Sequence, residues 1–157
     1  MNASDPAVAR RHVRAGRSLA YWSMGDSPDD STTRFAIRVD RSFRALFAAL
    51  GAGARQDFVE LRGETVRVRL GWMFKVSIPR TAVTSAQHHA DMFGGWGAHG
   101  WRGRWLVNGS SAGIVQLDLE PRQRAWLLSI WPLTLRVLYV SLDDPHGFLA
   151  AIGSGVA

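Results

Sequence analysis

The 157-residue sequence contains no cysteine and only one lysine. The missing cysteine excludes disulfide bridges and thiolate metal sites. Long apolar runs are also missing, because polar residues and a proline interrupt the most apolar stretch, residues 126 to 142, before it reaches the ~20 apolar residues that a membrane-spanning helix needs. The ordinary fractions of apolar (46%) and charged (20%) residues are typical of one soluble globular domain.

Arginine is the residue that the chain has in excess. Nineteen basic residues against thirteen acidic ones give a net charge of +6, which favours anionic partners. Most arginines alternate with apolar residues, as on the solvated face of a sheet, so nucleic acid is the disfavoured partner class. The cluster Arg10, Arg11, Arg14 and Arg17 is the candidate for contact with an anionic surface. The N-terminus lacks the apolar core of a secretory signal, which predicts a cytoplasmic protein.

Periodicity divides the chain into an arm and a domain. Residues 1 to 33 lack a regular pattern and contain the turn-rich GDSPDDSTT, which predicts a flexible N-terminal arm. The domain, residues 34 to 157, places apolar residues at helical spacing in DRSFRALFAALG, and this predicts an inserted helix over about 41 to 50. In DDPHGFLAAIG an acidic cap, an early proline and a closing glycine predict a C-terminal capping helix over about 145 to 153.

The rest of the domain alternates at the two-residue period of strands. Gly63-Glu64 predicts a tight hairpin, Gly71 predicts a corner, and Asn108-Gly109 predicts a second hairpin between RWLVN and GIVQLDL. Residues 87 to 103 are predicted to form a long loop. Together these segments predict a mainly β (α+β) domain, an antiparallel, partly open barrel of about seven to eight strands with the two helices.

Two stretches of the chain resemble bacterial pleckstrin-homology-like domains. GETVRVRLGWMFKVSIPRTAVTSA is similar to their second to fourth strands, and GIVQLDL with RVLYVSLDDPHGFLAAI is similar to their late strands and closing helix. The resemblance implies a partly open barrel of seven strands capped by the last helix. It implies no catalytic signature and no single function, because the group is functionally mixed. The short acidic loop at Gly63-Glu64 argues against inositol phosphate recognition of the eukaryotic kind.

The segment GWGAHG, residues 95 to 100, matches the dinucleotide-binding fingerprint G-x-G-x-x-G. That fingerprint holds a pyrophosphate only when its glycines lie between a strand and the N-terminus of a helix. Here the following segment, WRGRWLVNG, has the pattern of a strand. We therefore expect the match to be an accident of a glycine-rich segment, and no nucleotide or other cofactor is predicted.

Histidines are concentrated near the same segment, with His88, His89, Asp91 and His99 forming the one cluster with metal-ligand character. The spacing fits no known ligand pattern, and neighbouring side chains of an extended chain point to opposite sides. The pattern favours surface histidines, and no metal site is predicted.

The candidate binding residues are aromatic and cationic side chains of the predicted loop. Tryptophan rings beside guanidinium groups are able to stack on bases or grip an anionic ligand, although filling of the core is the more common use of tryptophan. A long loop of this composition is typical of a functional segment. The candidates are Trp96, His99, Trp101, Arg102 and Arg104.

The sequence gives no sign of catalysis. It lacks a cysteine nucleophile, and its paired acids lie in turn or cap contexts. The prediction is a noncatalytic binding or scaffolding domain, and the alternative is a small-molecule-binding barrel or enzyme with a tryptophan-lined pocket under residues 87 to 103. Trp126 and Trp131 add apolar surface that predicts a homodimer or a protein partner. Peripheral membrane contact is expected through a partner.

Overall fold

The computed structural model describes residues 32–49, 56–91 and 95–153. Of the predicted arm, residues 1 to 33, only Thr32 and Thr33 lie within these ranges, and both belong to a strand, so the domain begins at least two residues earlier than predicted. The elements in chain order are β1 (Thr32–Ala36), α1 (Arg41–Ala49), β2 (Asp57–Arg62), β3 (Thr65–Leu70), β4 (Phe74–Pro79), a 3-10 turn (Arg80–Ala82), β5 (Val83–His88), β6 (Gly97–Trp101), β7 (Arg104–Asn108), β8 (Ile114–Leu127), β9 (Trp131–Ser141) and α2 (Pro145–Gly153).

All described strands form one sheet that does not close, which confirms the mainly β, partly open barrel-like architecture. Its order is β1-β2-β3-β4-β8-β9-β7-β6, and β5 pairs with β8 away from this path. The long strand β8 pairs with β5 along its first half and with β4 near its end. The register against β9 shifts between Asp118 and Gln123, around Pro121, which has no N–H to donate to a ladder.

Two predictions about strands 6 and 7 are wrong. Residues 87 to 103 are not one long loop, because β5 continues to His88 and β6 occupies Gly97–Trp101. The predicted β7–β8 hairpin does not form, since β7 pairs in parallel with β9 instead. Asn108 and Gly109 do lie in a tight connection, where the Asn108 side-chain amide donates to the backbone oxygen of Ser110 (2.9 Å). Turn chemistry fixes a local bend, but it does not decide which strand lies beside the next.

The core lies on one face of the sheet because buried positions alternate with more exposed ones along β3 and β4. The α2 helix covers this core with Phe148 and Ile152, both buried, and the Phe148 ring meets the Phe35 ring edge-on. As predicted, an acid caps the helix: Asp144 Oδ1 accepts a bond from the Gly147 N–H (2.8 Å). At the C-terminal end of α2, Arg80 Nη2 donates to the Ala151 carbonyl (2.8 Å).

One acid is buried at the start of β2. Asp57 is 2% exposed, and its Oδ1 has no hydrogen-bond partner among the described residues. Burial raises the pKa of Asp57 to about 6, against the lowering effects of a backbone hydrogen bond from Gly71 and the charge of Arg69. The folded protein therefore holds this proton more tightly than the unfolded chain does.

The free energy of unfolding is expected to fall as the pH rises from about 4 to about 6, because the folded state binds more protons than the unfolded state in that window. The Asp57 contribution is on the order of 2–3 kcal/mol. The variant Asp57→Asn keeps the side-chain volume and removes the titration. Urea unfolding across this pH range should show a slope in wild type that the variant lacks. Parallel pH curves for the two proteins would refute this account of Asp57.

Candidate functional site

The candidate residues predicted from sequence lie on the β6–β7 hairpin and just before it. Trp96 stacks against Phe43 of α1 with ring centroids 3.8 Å apart, so part of its surface contacts the inserted helix. Trp101 ends β6 and is 76% exposed. Arg102 follows it in the turn with a φ of 51°. The two tryptophans therefore lie at opposite ends of β6 and not around a common centre.

His99 and Arg104 lie on the same face of the sheet as Tyr139. Arg104 Nη2 donates to the hydroxyl oxygen of Tyr139, and its guanidinium carbon lies 5.6 Å from the centre of that ring. His99 Nε2 is buried without a hydrogen-bond partner among the described residues, and burial lowers the pKa of His99. The edge of the His89 ring also meets Tyr139. This cluster is polar and aromatic, and its role in binding stays a prediction.

The glycines of the fingerprint are explained by hairpin geometry. Gly97 and Gly100 lie within β6, and the next element is strand β7, so no helix N-terminus follows them to receive a pyrophosphate. A Cβ added at Gly100 would lie 2.8 Å from Trp105 Cδ2 and closer still to the backbone oxygen of Arg104. Gly100 is thus needed because the backbone of Arg104 and Trp105, together with the Trp105 ring, approaches it closely across the hairpin.

Replacing Gly100 by alanine is expected to destabilise the fold by about 1–3 kcal/mol, the usual range for a substitution that overpacks a tight contact. The matched control is Gly153→Ala at the end of α2, where an added Cβ meets nothing within 4 Å. Denaturant unfolding of both variants measures the difference. Equal stability of the two variants would show that the close approach of β7 does not require glycine at position 100.

The histidine cluster is divided between different neighbours. The His88 ring stacks with His146 of α2 at 5.6 Å, whereas the His89 ring contacts Tyr139. Within the ranges that the structure describes, no group of three or more histidine, aspartate or glutamate side chains could hold a metal ion.

A feature that sequence reasoning missed lies on the other half of the sheet. A groove of about 660 Å³ runs over the outer face of β2, β3, β4 and the end of β8. Cross-strand pairing builds it from two rows of side chains. The rows are Phe58, Arg69, Lys75 and Trp126, and then Arg34, Glu60, Arg67 and Ser77.

The groove is strongly basic. Of the described residues that line it, six are basic and one, Glu60, is acidic. A concave surface lined by one sign of charge concentrates the potential and attracts ions of the opposite sign. The six bases are Arg34, Arg62, Arg67, Arg69, Lys75 and Arg124.

Glu60 holds two of these bases in place. It is 6% exposed, and its carboxylate oxygens lie 3.5 Å from Arg34 Nη2 and 3.8 Å from Arg67 Nη1. The Arg34 guanidinium also lies over the Phe58 ring, 4.1 Å from its centre. Both arginine side chains are still about half exposed (52% and 51%). The two cations are therefore oriented by the protein and keep a free side toward solvent.

Comparisons with protein-family models, curated proteins and solved structures found no match to this chain. The resemblance to pleckstrin-homology-like domains therefore stays a prediction. No helix of the described residues is long and apolar enough to cross a membrane.

Proposed function

We propose that this chain is a noncatalytic binding domain that holds a negatively charged ligand or partner on the outer face of β1 to β4 and β8. The proposal includes the pleckstrin-homology-like identity that the sequence predicts, with a cytoplasmic location in a bacterium. One observation carries it: six basic side chains converge on one groove that contains a single, already paired acid.

The composition of the groove favours binding over catalysis. Its hydroxyl groups come from Ser77 and Ser129, and no histidine is among the described residues that line it. A general base within reach of a hydroxyl nucleophile is the usual arrangement for covalent catalysis. Oriented guanidinium groups instead suit recognition of carboxylate, sulfate or phosphate oxygens.

A second candidate is the small-molecule site that the sequence placed near residues 87 to 103. The observation in its favour is His99, whose buried Nε2 lacks a partner among the described residues, on the same face as Arg104 and Tyr139. None of the residues that line the basic groove comes from this segment. Variants that reverse charges on one half of the sheet or on the other therefore distinguish the two candidate sites.

The test uses inorganic tripolyphosphate as a soluble polyanion and isothermal titration calorimetry at low salt. We expect saturable binding that weakens as salt rises, because added ions screen exposed charges. The double variant Lys75→Glu, Arg124→Glu is expected to bind about tenfold more weakly or worse, since two attractions become repulsions in the groove.

The matched control is Arg102→Glu, Arg136→Glu, which reverses the same number of charges at the turn where Gly103 packs beside Arg136. We expect this control to bind tripolyphosphate like wild type. Absence of saturable binding by wild type would refute the proposal. A larger loss in the control than in the groove variant would instead move the site to the β6–β7 hairpin.

A further inference from the structure

Large apolar side chains are exposed at one end of the sheet, directly beside the basic groove. We call this group the apolar tip, and it contains three tryptophans. Ile130 and Trp131 are the most exposed members, at 72% and 66%. Folding of the domain leaves more than a third of each of these residues exposed. The members of the tip are Trp72, Trp126, Leu128, Ile130 and Trp131.

Two turns are bonded together to form the base of the tip. The N–H of Leu128 donates to the carbonyl oxygen of Met73 (2.7 Å). The hydroxyl of Ser129 donates to the carbonyl oxygen of Trp72 (3.1 Å). The β3–β4 turn and the β8–β9 turn therefore present their side chains as one surface on a fixed backbone.

The backbone of the β8–β9 turn is unfavourable for the residues that occupy it. Leu128 has a φ of 52° and Ser129 a φ of 59°, in the left-handed region that glycine and asparagine adopt more easily. Strained conformations of this kind are concentrated at functional sites. Leu128 thus takes a conformation that glycine adopts more easily, and Leu128 and Ile130 are exposed in this turn. This combination points to a use for apolar groups at the tip.

The tip and the groove are continuous. Trp126 and Ser129 line the groove, and Lys75 is the cross-strand neighbour of Trp126. One end of the protein thus presents clustered positive charge bordered by tryptophan and aliphatic side chains. The surface of a membrane rich in anionic lipids has the complementary layers, negative headgroups above acyl chains, and tryptophan partitions into the interface between them.

We infer that the apolar tip and the basic groove together dock this domain on bilayers that contain anionic lipids. The tip enters the headgroup region and the upper acyl chains, and the groove binds the negative charge of the headgroups. This inference rests on the proposed function, because it names the anionic partner of the same groove. Apolar area and electrostatic attraction both contribute to such interfacial binding.

Charge complementarity favours a bilayer over the other occupants. A second copy docked tip to tip would bring two basic grooves close together, which repel each other. A nucleic acid would satisfy the groove through its phosphates, but it would leave Leu128 and Ile130 without an apolar partner.

The experiment is sedimentation of the full chain with vesicles of phosphatidylcholine, with and without phosphatidylserine. The tip variant is Ile130→Gln, Trp131→Gln, and the matched control is Trp101→Gln, which removes a tryptophan on the β6–β7 hairpin that is at least as exposed as Trp131. Tripolyphosphate titration of the same preparations reports whether each variant is folded and keeps the groove.

We expect wild type to bind the phosphatidylserine vesicles and to bind phosphatidylcholine alone much more weakly. The tip variant should lose about tenfold or more in vesicle affinity, because it can no longer bury apolar area in the bilayer. Its affinity for tripolyphosphate should match that of wild type. Trp101→Gln should bind both probes as wild type does.

The other results overturn the inference. If wild type binds tripolyphosphate but no vesicles, the bilayer is not the partner and the proposed function stands. If it binds neither, the inference and the proposed function both fail. Equal vesicle binding by wild type and the tip variant would show that the tip plays no part. A wild-type dimer that the tip variant converts to a monomer would assign the tip to a second copy. Binding of a DNA duplex in place of vesicles would assign the groove to nucleic acid.

Discussion

The pairing of β8 with strands on both of its edges is the constraint on which the rest of the structure depends. Its first half pairs with β5 and its end pairs with β4, while β9 follows it on the other edge. Because side chains alternate between the two faces of a strand, this single strand fixes which residues of both halves of the sheet face the core. Leu117, Leu119 and Ala125 face inward, whereas Arg124 and Trp126 are placed over the outer groove.

The outer face of β2 to β4 differs from an ordinary solvated sheet face in how its charges are arranged. Arginines scattered on such a face attract any anion weakly, because salt screens each exposed charge. Here the nearly buried carboxylate of Glu60 orients Arg34 and Arg67. The two arginine side chains therefore lose less conformational freedom when a ligand binds. This arrangement favours binding because it positions the two guanidinium groups in advance. The ion pairs themselves are partly exposed and add little to the stability of the fold.

Local signals predicted the parts of this fold that local chemistry decides. Both helices, the turn at Gly63-Glu64 and the cap by Asp144 were readable from a few consecutive residues. The parallel partner of β7 was not readable, because the turn residues at Asn108-Gly109 specify a bend and not a neighbour. The long loop was predicted in place of β6 because Gly97 and Gly100 are poor strand formers. The structure explains them by the positive φ of Gly97 and by the close approach of the neighbouring strand to Gly100.

The candidate site was harder to predict than the fold, because it too depends on which strands lie side by side. The alternation of arginines with apolar residues correctly indicated that arginines such as Arg67 and Arg69 face outward on the sheet. Conversion of this face to a groove needs Arg34, Lys75 and Arg124, which come from three other strands and are aligned only by register. The exposure of the apolar side chains was partly readable, since Trp126 and Trp131 already marked surplus apolar area. The closeness of Trp126 to Lys75 was not readable, because the β4–β8 pairing joins residues that are far apart in sequence.

The tryptophans of this chain provide a direct test of the central claim that the outer face over β2 to β4 and β8 is the binding surface. Each indole N–H gives its own signal in a ¹⁵N spectrum of the full chain, and tripolyphosphate is titrated into the sample. The account predicts the largest shifts at the Trp126 indole and at the backbone amides of Arg69 and Lys75. Large shifts at Trp101 and Arg104 with an unchanged Trp126 signal would contradict it.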